Sequence, residues 1–545
     1  MSRKATQQTA AVRTASAKAP WWRGAVIYQI YLRSFFDSNN DGSGDLAGVR
    51  KKLDYVQSLG VDAVWLSPFY RSPMADFGYD VSDYFGVDPL FGSMTDFEAV
   101  LERAHTLGLK VIVDQIYSHT SDQHAWFRES RSGRNNSKSD WYVWADAKSD
   151  GTPPNNWLSL FGGPAWTWDT SRRQYYMHNF LAEQPDLNFH NPDVRSAVMD
   201  VARFWLDKGV DGLRLDVANF YYSDARLRNN PPADNPRATR PYQYQRHLYD
   251  RSRPENLRFA EDLRTLADSY GDKMLVAEIG SQSYVERSIE YTQSNRRLHT
   301  AYNFLLLENG PLGPELFRDA FAPWNNATAW PSWSFSNHDV ERVVSRWGDG
   351  SAPELFAKML LCLLLCLRGT IFLYQGEELG LPQAKVPRDA LRDPEGIRFW
   401  PHNLGRDGAR TPFPWKKAVP HAGFSEVEPW LPVDNRHAER AVDRQIKSPA
   451  SVLHFAQQAI AARNSSGALR LGRIAFEDQP LPLLKFRREW KNERVHCAFN
   501  LGPDEMRFNP PEGRKPWLDG GLSAGRKSSV FGLAPFGFGV WRQTL

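Results

Sequence analysis

Along this chain a segment with apolar residues at three- and four-residue spacing gives way to a Gly, then to a short apolar run that closes on polar residues. The unit recurs in KKLDYVQSLG-VDAVWLSP, AVLERAHTLG-LKVIVDQI, ARFWLDKG-VDGLRLDV, LADSYG-DKMLVAEIG and LLLCLRG-TIFLYQG. Gly60, Gly108, Gly209, Gly271 and Gly369 stand where each helix should end and suit the left-handed position that only Gly takes without strain. Thr95 and Glu98 in TDFE predict a capping box at the start of one of these helices. Near-continuous apolar strands alternating with helices indicate a parallel sheet covered on both faces. With VIYQIYL (26–32), a strand near 301–304 and WSFSNHD (333–339), the strands reach eight. The expected fold is α/β, a (β/α)₈ TIM barrel with an inserted subdomain after strand 3 and a C-terminal all-β domain.

The pattern also divides the chain. Residues 1–20, basic and free of acids, predict a disordered tail, and 21–118 carry the first part of the barrel. Residues 119–188, rich in Gly, Pro, Asn and Trp, are too long for a plain loop and predict a small domain over the barrel mouth. The barrel resumes over 189–460, with a long loop after the fourth strand at about 219–252. Over 461–545, LPLLKFRREW and ERVHCAFNL alternate in the manner of strands, and a β-sandwich is expected.

One strand breaks its own rule. In GVDGLRLDVANF (209–220), Arg214 and Asp216 interrupt a run of Val and Leu, although an ionised group in an apolar interior costs several kcal/mol unless it is paired or used. A structural Arg–Asp pair and a functional carboxylate at a strand end both explain it. The barrel rule places catalytic groups at strand C-termini, and His119, Asp216, Glu278, His338 and Asp339 all fall there. Two carboxylates on neighbouring strands, about 5–5.5 Å apart, suffice for retaining cleavage of a glycosidic bond. Asp216 and Glu278 can be such a pair. Arg214, on the same strand face, should keep Asp216 ionised, while a more apolar setting and nearby negative charge should raise the pKa of Glu278.

Composition narrows the partners. A net charge of +4 gives no reason to expect nucleic acid, and no apolar run reaches the ~18 residues that span a bilayer. The N-terminal segment lacks the apolar stretch of a secretory signal and only weakly resembles an Arg/Ser-rich transit peptide. Cys362 and Cys366 lie four apart on an apolar helix and read as core thiols, so a reducing, cytoplasmic setting is expected. A 13% aromatic content suits the flat apolar faces that sugars need. HExxH, CxxC and Walker motifs are missing, which favours acid/base and nucleophilic carboxylate chemistry. In DSNNDGSGD (37–45), Asp37, Asn39, Asp41 and Asp45 place oxygens at alternating positions, with Gly42 sixth and the Ser43 carbonyl seventh, as in the opening of an EF-hand. Gly48 replaces the Glu of a true EF-hand, and a simpler structural Ca²⁺ or Mg²⁺ site is expected.

VDGLRLDVAN, LVAEIG, FSNHD and the less faithful VIVDQIYSH resemble the four conserved regions of the α-amylase family, glycoside hydrolase family 13. QPDLN at 184–188 resembles its oligo-1,6-glucosidase and α-glucosidase subfamily. The resemblance implies Asp216 as nucleophile, Glu278 as acid/base and Asp339 as the carboxylate that grips sugar hydroxyls. It implies a glucose pocket in which Asp76 binds the 4-hydroxyl, Tyr79 stacks on the ring, and His119, Arg214 and His338 bind hydroxyls. Arg406, with Arg410 as rival, would pair with Asp76 and close the pocket, and Phe161, Phe180 and Gln184 would line its wall and the start of the acceptor site. The family's metal loop matches Asp37, Asn39, Asp41, Ser43 and Asp45.

A closed pocket implies exo-cleavage of terminal glucose from short oligosaccharides, with an alcohol or a sugar as alternative acceptor, by a monomer or homodimer. Two departures matter. Ser118 replaces the Asn that ends region one, which puts an amylase-type calcium site in doubt, and Val217 tends to accompany α-1,6 preference. The stretch NFYYSDARLRNNPPADNP instead resembles the loop of α-1,4-preferring glucosidases that transfer glucose. Sucrose isomerase and trehalose synthase share the chemistry, but the RLDRD-type stretch of the former is missing from 281–330. A non-catalytic transporter heavy chain would need a membrane helix and no carboxylate triad.

Overall fold

The computed structural model describes residues 19–545 except 236–237, 281–282, 309, 349–353, 512–514 and 525–530; most of the expected N-terminal tail therefore lies outside the described residues. Eight parallel strands form the central sheet: β1 (Val26–Ile30), β2 (Ala63–Leu66), β3 (Lys110–Gln115), β4 (Gly212–Leu215), β5 (Met274–Ile279), β6 (Thr300–Asn303), β7 (Ser332–Trp333) and β8 (Thr370–Tyr374). Pairing runs β6-β5-β4-β3-β2-β1-β8-β7. Thr300 Oγ1 donates to Trp330 O at 2.9 Å, where β6 and β7 complete the circle. β1, β2, β4, β5, β7 and β8 are buried at every position, as expected of strands covered on both faces.

Three local expectations are corrected. The capping box is two residues earlier, with Ser93 capping Met94–Thr106 and Asp96 returning the bond to the Ser93 N–H at 2.9 Å; Thr95 is already helical. β7 covers only two residues, so Ser336–Asp339 lie in the loop beyond it rather than in a strand. Gly60, Gly108, Gly209 and Gly271 turn with φ between 78° and 94°, but Gly369 reaches 142°. At Gly369 a Cβ would sit 2.7 Å from Pro331 O, so close approach rather than a helix cap requires the Gly.

The segment after β3 carries a three-stranded antiparallel sheet of Trp144–Ala145, Gln174–Met177 and Trp166–Asp169. Isolated bridges His119–Asp186 and Tyr142–Leu187 tie its two ends together, so it is anchored at the mouth of the barrel. At the C-terminus a six-stranded antiparallel sheet begins at Arg473. Its strands are hydrogen-bonded into one sheet through the long strand Phe531–Thr544, and Leu483, Ala498, Phe508, Leu533 and Trp541 form a buried cluster of their own. All three cysteines are free and buried, and among the described residues no helix is long and apolar enough to cross a membrane.

Candidate active site

The register of the barrel answers the puzzle of Arg214. Asp114 on β3 and Arg214 on β4 are ladder partners, and their side chains meet at 2.7 Å with both groups fully buried. Arg214 then turns its remaining donors outward. Nη1 reaches Asp216 Oδ1 at 2.6 Å, and Nη2 donates to Glu278 Oε2 and to Tyr302 Oη, the latter at 2.6 Å. Tyr302 is the β6 register partner of Glu278 and lies 3.3 Å from its Oε2. One guanidinium thus gathers three carboxylates, and Asp216 and Glu278 face a common point at the ends of β4 and β5. The Arg214–Asp216 pair of the structural reading is present, and Arg214 is paired with Asp114 besides.

The electrostatics depart from expectation at Asp216. Burial pushes its carboxyl up to about 7, outweighing the pull of Arg214, and Asp114 adds to the rise. A single cation shared among three acids cannot hold each in its ionised form in a closed pocket. At Asp339 the balance is reversed: burial raises it, but His338, Arg410, Arg406 and Arg214 together hold it well below the usual carboxylate range.

The other end of the pocket is closed by Arg406. Its Nη2 donates to Asp76 Oδ1 at 2.6 Å and to Asp393 Oδ1 at 2.7 Å, while Nε adds a bond to Asp393 at 3.1 Å. Arg410 instead binds Asp339 at 2.8 Å and the His338 carbonyl at 2.7 Å. The choice between the two arginines is therefore decided by geometry. Burial raises the Asp76 carboxyl although Arg406 opposes it, whereas Arg406 overcomes burial at Asp393 and draws it to about 2.

Histidines and aromatics complete the wall. Gln29 Nε2 donates to His338 Nδ1 at 2.7 Å, which leaves the proton of the neutral ring on Nε2, 2.5 Å from Tyr79 Oη. Burial lowers His338 to about 3 and His119 to about 4, so both are neutral hydrogen-bonding groups near pH 7. Tyr79 stacks on His338 with ring centroids 5.4 Å apart, and its hydroxyl also bonds Asp114 at 3.1 Å. His119 lies 5.1 Å from Phe180, which lies 6.0 Å from Phe161, and Arg406 sits over Phe161 at 5.1 Å. Gln184 is fully enclosed, 3.2 Å from both Asp76 Oδ2 and His119 Nε2, at the Asp76 end of the pocket.

Sequence reasoning passed over Asp114, Asp393, Tyr302 and Gln29. Asp114 had a signal, a charge inside VIVDQ like that of Arg214 inside GLRLD. Asp393 had none, because its role depends on Arg406 being folded back onto it.

The loop expected to hold a cation winds through Gly42 at φ 89°. Asp37 accepts from Asn40 N at 2.7 Å, Gly42 N at 2.9 Å and Ser425 Oγ at 2.7 Å; Asp41 accepts from Ser43 N at 2.9 Å. Asp45 caps the helix Leu46–Ser58 through Gly48 N at 2.6 Å. Among the described residues no three acidic, His or Cys side chains converge as a metal cluster. The donor chemistry nevertheless fits a hard cation: Asp37, Asn39, Asp41, Asp45 and the Ser43 carbonyl are all oxygen ligands on one short turn.

Residues 29–472 match the family described as "Alpha amylase, catalytic domain". The chain is 50% identical over 511 residues to a probable alpha-glucosidase of Rhizobium meliloti, covering 92% of this chain and 93% of that protein. It is 37% identical to an oligo-1,6-glucosidase of Heyndrickxia coagulans, over 94% of this chain and 97% of that one. The crystal structure of an alpha-glucosyl transfer enzyme, XgtA, superimposes with a TM-score of 0.93 at 50% identity, covering 96% of this chain and 100% of that one. The trehalulose synthase MutB of Pseudomonas mesoacidophila MX-45 follows the same fold at 31% identity with a TM-score of 0.88, covering 96% and 100% of the two chains.

Proposed function

The chain belongs to the alpha-amylase family of glycoside hydrolases, and from that premise we propose that it is a retaining, exo-acting α-glucosidase that also transfers glucose to alcohol or sugar acceptors. The observation that carries this reading is the single guanidinium of Arg214 bridging Asp216 and Glu278, which supports a pair of carboxylates working on one anomeric centre.

Asp216, as carboxylate, attacks the anomeric carbon while Glu278 protonates the departing glycosidic oxygen. The C1–O bond to the aglycone breaks as the Asp216 ester forms. Glu278, now ionised, takes the proton of water or of an acceptor hydroxyl, whose oxygen displaces Asp216 from C1 with the α configuration restored. Asp339, held ionised by its arginines, and neutral His119 and His338 bind the glucose hydroxyls. Asp76 and Arg406 cap the non-reducing end, so one glucose fits and a longer chain cannot pass through. That blocked end favours terminal cleavage of maltose-like substrates.

The loop NFYYSDARLRNNPPADNP favours α-1,4 linkages, although Val217 beside the nucleophile argues for α-1,6. Val217, next to Asp216, sits at φ 35°, a strained conformation for a β-branched residue. A Ca²⁺ or Mg²⁺ held by Asp37, Asn39, Asp41, Ser43 and Asp45 would supply structural cross-linking of the turn after β1. The free buried thiols support a reducing, cytoplasmic setting, and all the named groups lie in one chain, which suits a monomer or a homodimer.

The test is Asp216→Asn with p-nitrophenyl α-glucoside. Loss of nitrophenol release at unchanged far-UV circular dichroism supports the reading, and full activity removes it.

A further inference from the structure

Where the loop after β4 returns to the barrel, a cation stands without a counter-charge. Arg251 is 9% exposed, and among the described residues its guanidinium makes no hydrogen bond and no ion pair. It lies between two rings, 5.3 Å from the centroid of Phe220 and 5.5 Å from that of Tyr242. Tyr242 is stacked in turn on His247 at 3.7 Å with the planes 17° apart, and His247 is held by Asp250 at 2.6 Å. Phe220, Arg251, Tyr242 and His247 therefore form a layered stack whose polar member has spent none of its donors.

The stack is anchored to the catalytic strands. Asn219, three residues past Asp216, donates to Gly280 O at 2.6 Å and to Ser252 Oγ at 2.8 Å, and Ser252 N donates to Asn219 O at 2.6 Å. Gly280, two residues past Glu278, packs beside the same groups: a Cβ there would lie in ordinary contact with Phe220 at 3.4 Å and with Arg251 Nη1 at 3.8 Å. Phe220 reaches Phe180 at 5.8 Å, continuing the aromatic wall that begins at the glucose pocket. Arg251 thus stands beside the strand end that carries Glu278, the acid/base side of the site, where a leaving group departs and an acceptor enters.

A guanidinium beside aromatic rings that makes no ion pair keeps its planar fork of donors for a carboxylate or a phosphate, the groups that fork matches. Neutral water needs no such device. We infer that Arg251 is an acceptor-side specificity residue, and that the acceptor it selects carries a carboxylate or a phosphate in addition to the hydroxyl that receives glucose. In that transfer the acceptor oxygen bonds to C1, the C1–Asp216 ester breaks and the hydroxyl proton passes to Glu278. The inference rests on the glucosidase reading and names the acceptor class for the same site.

The experiment uses the whole chain with p-nitrophenyl α-glucoside as donor and glucose, gluconate or glucose 6-phosphate as acceptor at equal concentration, with glucosylated products quantified by mass spectrometry. The wild type should favour at least one anionic acceptor over glucose by roughly tenfold, the effect of about one charge-assisted hydrogen bond. The two anionic arms tell carboxylate from phosphate. Arg251→Met should bring the ratio near one, and Arg251→Lys should keep part of it; because the ratio is taken within each protein, a general loss of rate cancels. A wild-type ratio at or below one, a ratio unchanged in Arg251→Met, or nitrophenol release with no acceptor product would each overturn the inference while leaving the glucosidase reading intact. Absence of nitrophenol release from the wild type would instead bring down that reading.

Discussion

Asp76 and Arg406, 330 positions apart in the chain, meet in a buried 2.6 Å hydrogen-bonded ion pair. Asp393 holds the same guanidinium from behind at 2.7 Å. Removing one partner of a buried pair leaves the other unpaired, at a cost of about 2–5 kcal/mol. Arg406→Ala should therefore lower kcat/KM on maltose by about 10²-fold or more, and Asp393→Asn should follow it by freeing Arg406 to shift. Steady-state kinetics on both variants checks this, and an unaffected Asp393→Asn would show that Arg406 needs no second anchor.

The raised pKa of Asp216 has a kinetic sign. The nucleophile works as a carboxylate, so kcat/KM, which reports the free enzyme, should rise with pH through about 7 on its acidic side. A pH profile that is already flat from pH 5 upwards would contradict the dominance of burial over Arg214.

The same group has an opposite sign for stability. Its folded pKa lies above the ordinary 3.8, so its contribution is fully present below that value and is lost as pH rises through about 7. Asn does not titrate. The Tm advantage of Asp216→Asn over the parent should thus widen between about pH 4 and pH 7 and then level off, as read by differential scanning calorimetry. A difference that does not change with pH would be incompatible with a protonated buried carboxyl.

Tyr302 bonds Arg214 Nη2 at 2.6 Å and lies 3.3 Å from Glu278 Oε2, so it helps to fix the guanidinium. Tyr302→Phe should lower kcat/KM roughly tenfold, the value of about one hydrogen bond to a charged group, and should move the acidic limb of the pH profile. A merely structural tyrosine would change stability and leave the limb in place.

A cation at the Asp37–Asp45 turn would bind the folded state and raise its Tm by mass action. Addition of Ca²⁺ or Mg²⁺ to chelator-treated protein should raise Tm, and Asp41→Asn should blunt the response. An identical Tm with and without either ion would leave the turn held by its own hydrogen bonds alone.

Much of this arrangement was legible along the chain, because a barrel built from one repeated unit announces its strand ends, and the carboxylates stand at those ends. The mouth residues of β4, β5 and β7 could be read for that reason. What was not legible came from charge balance in three dimensions. Arg214 next to Asp216 suggested an ionised nucleophile, but that inference counted one acid where the folded barrel brings Asp114 and Glu278 to the same guanidinium. Asp393 belongs to a loop with no periodicity, and Arg251 looks like any basic loop residue until the fold places it between two rings. The capping box was misplaced because Ser93–Asp96 and Thr95–Glu98 both fit the pattern, and only the backbone geometry distinguishes them.

The most direct measurement is the identity of the residue that becomes glucosylated. Incubation with 5-fluoro-α-glucosyl fluoride, followed by proteolysis and tandem mass spectrometry, should find the sugar on Asp216. An adduct on Glu278 or Asp339, with Asp216 unmodified, would contradict the account.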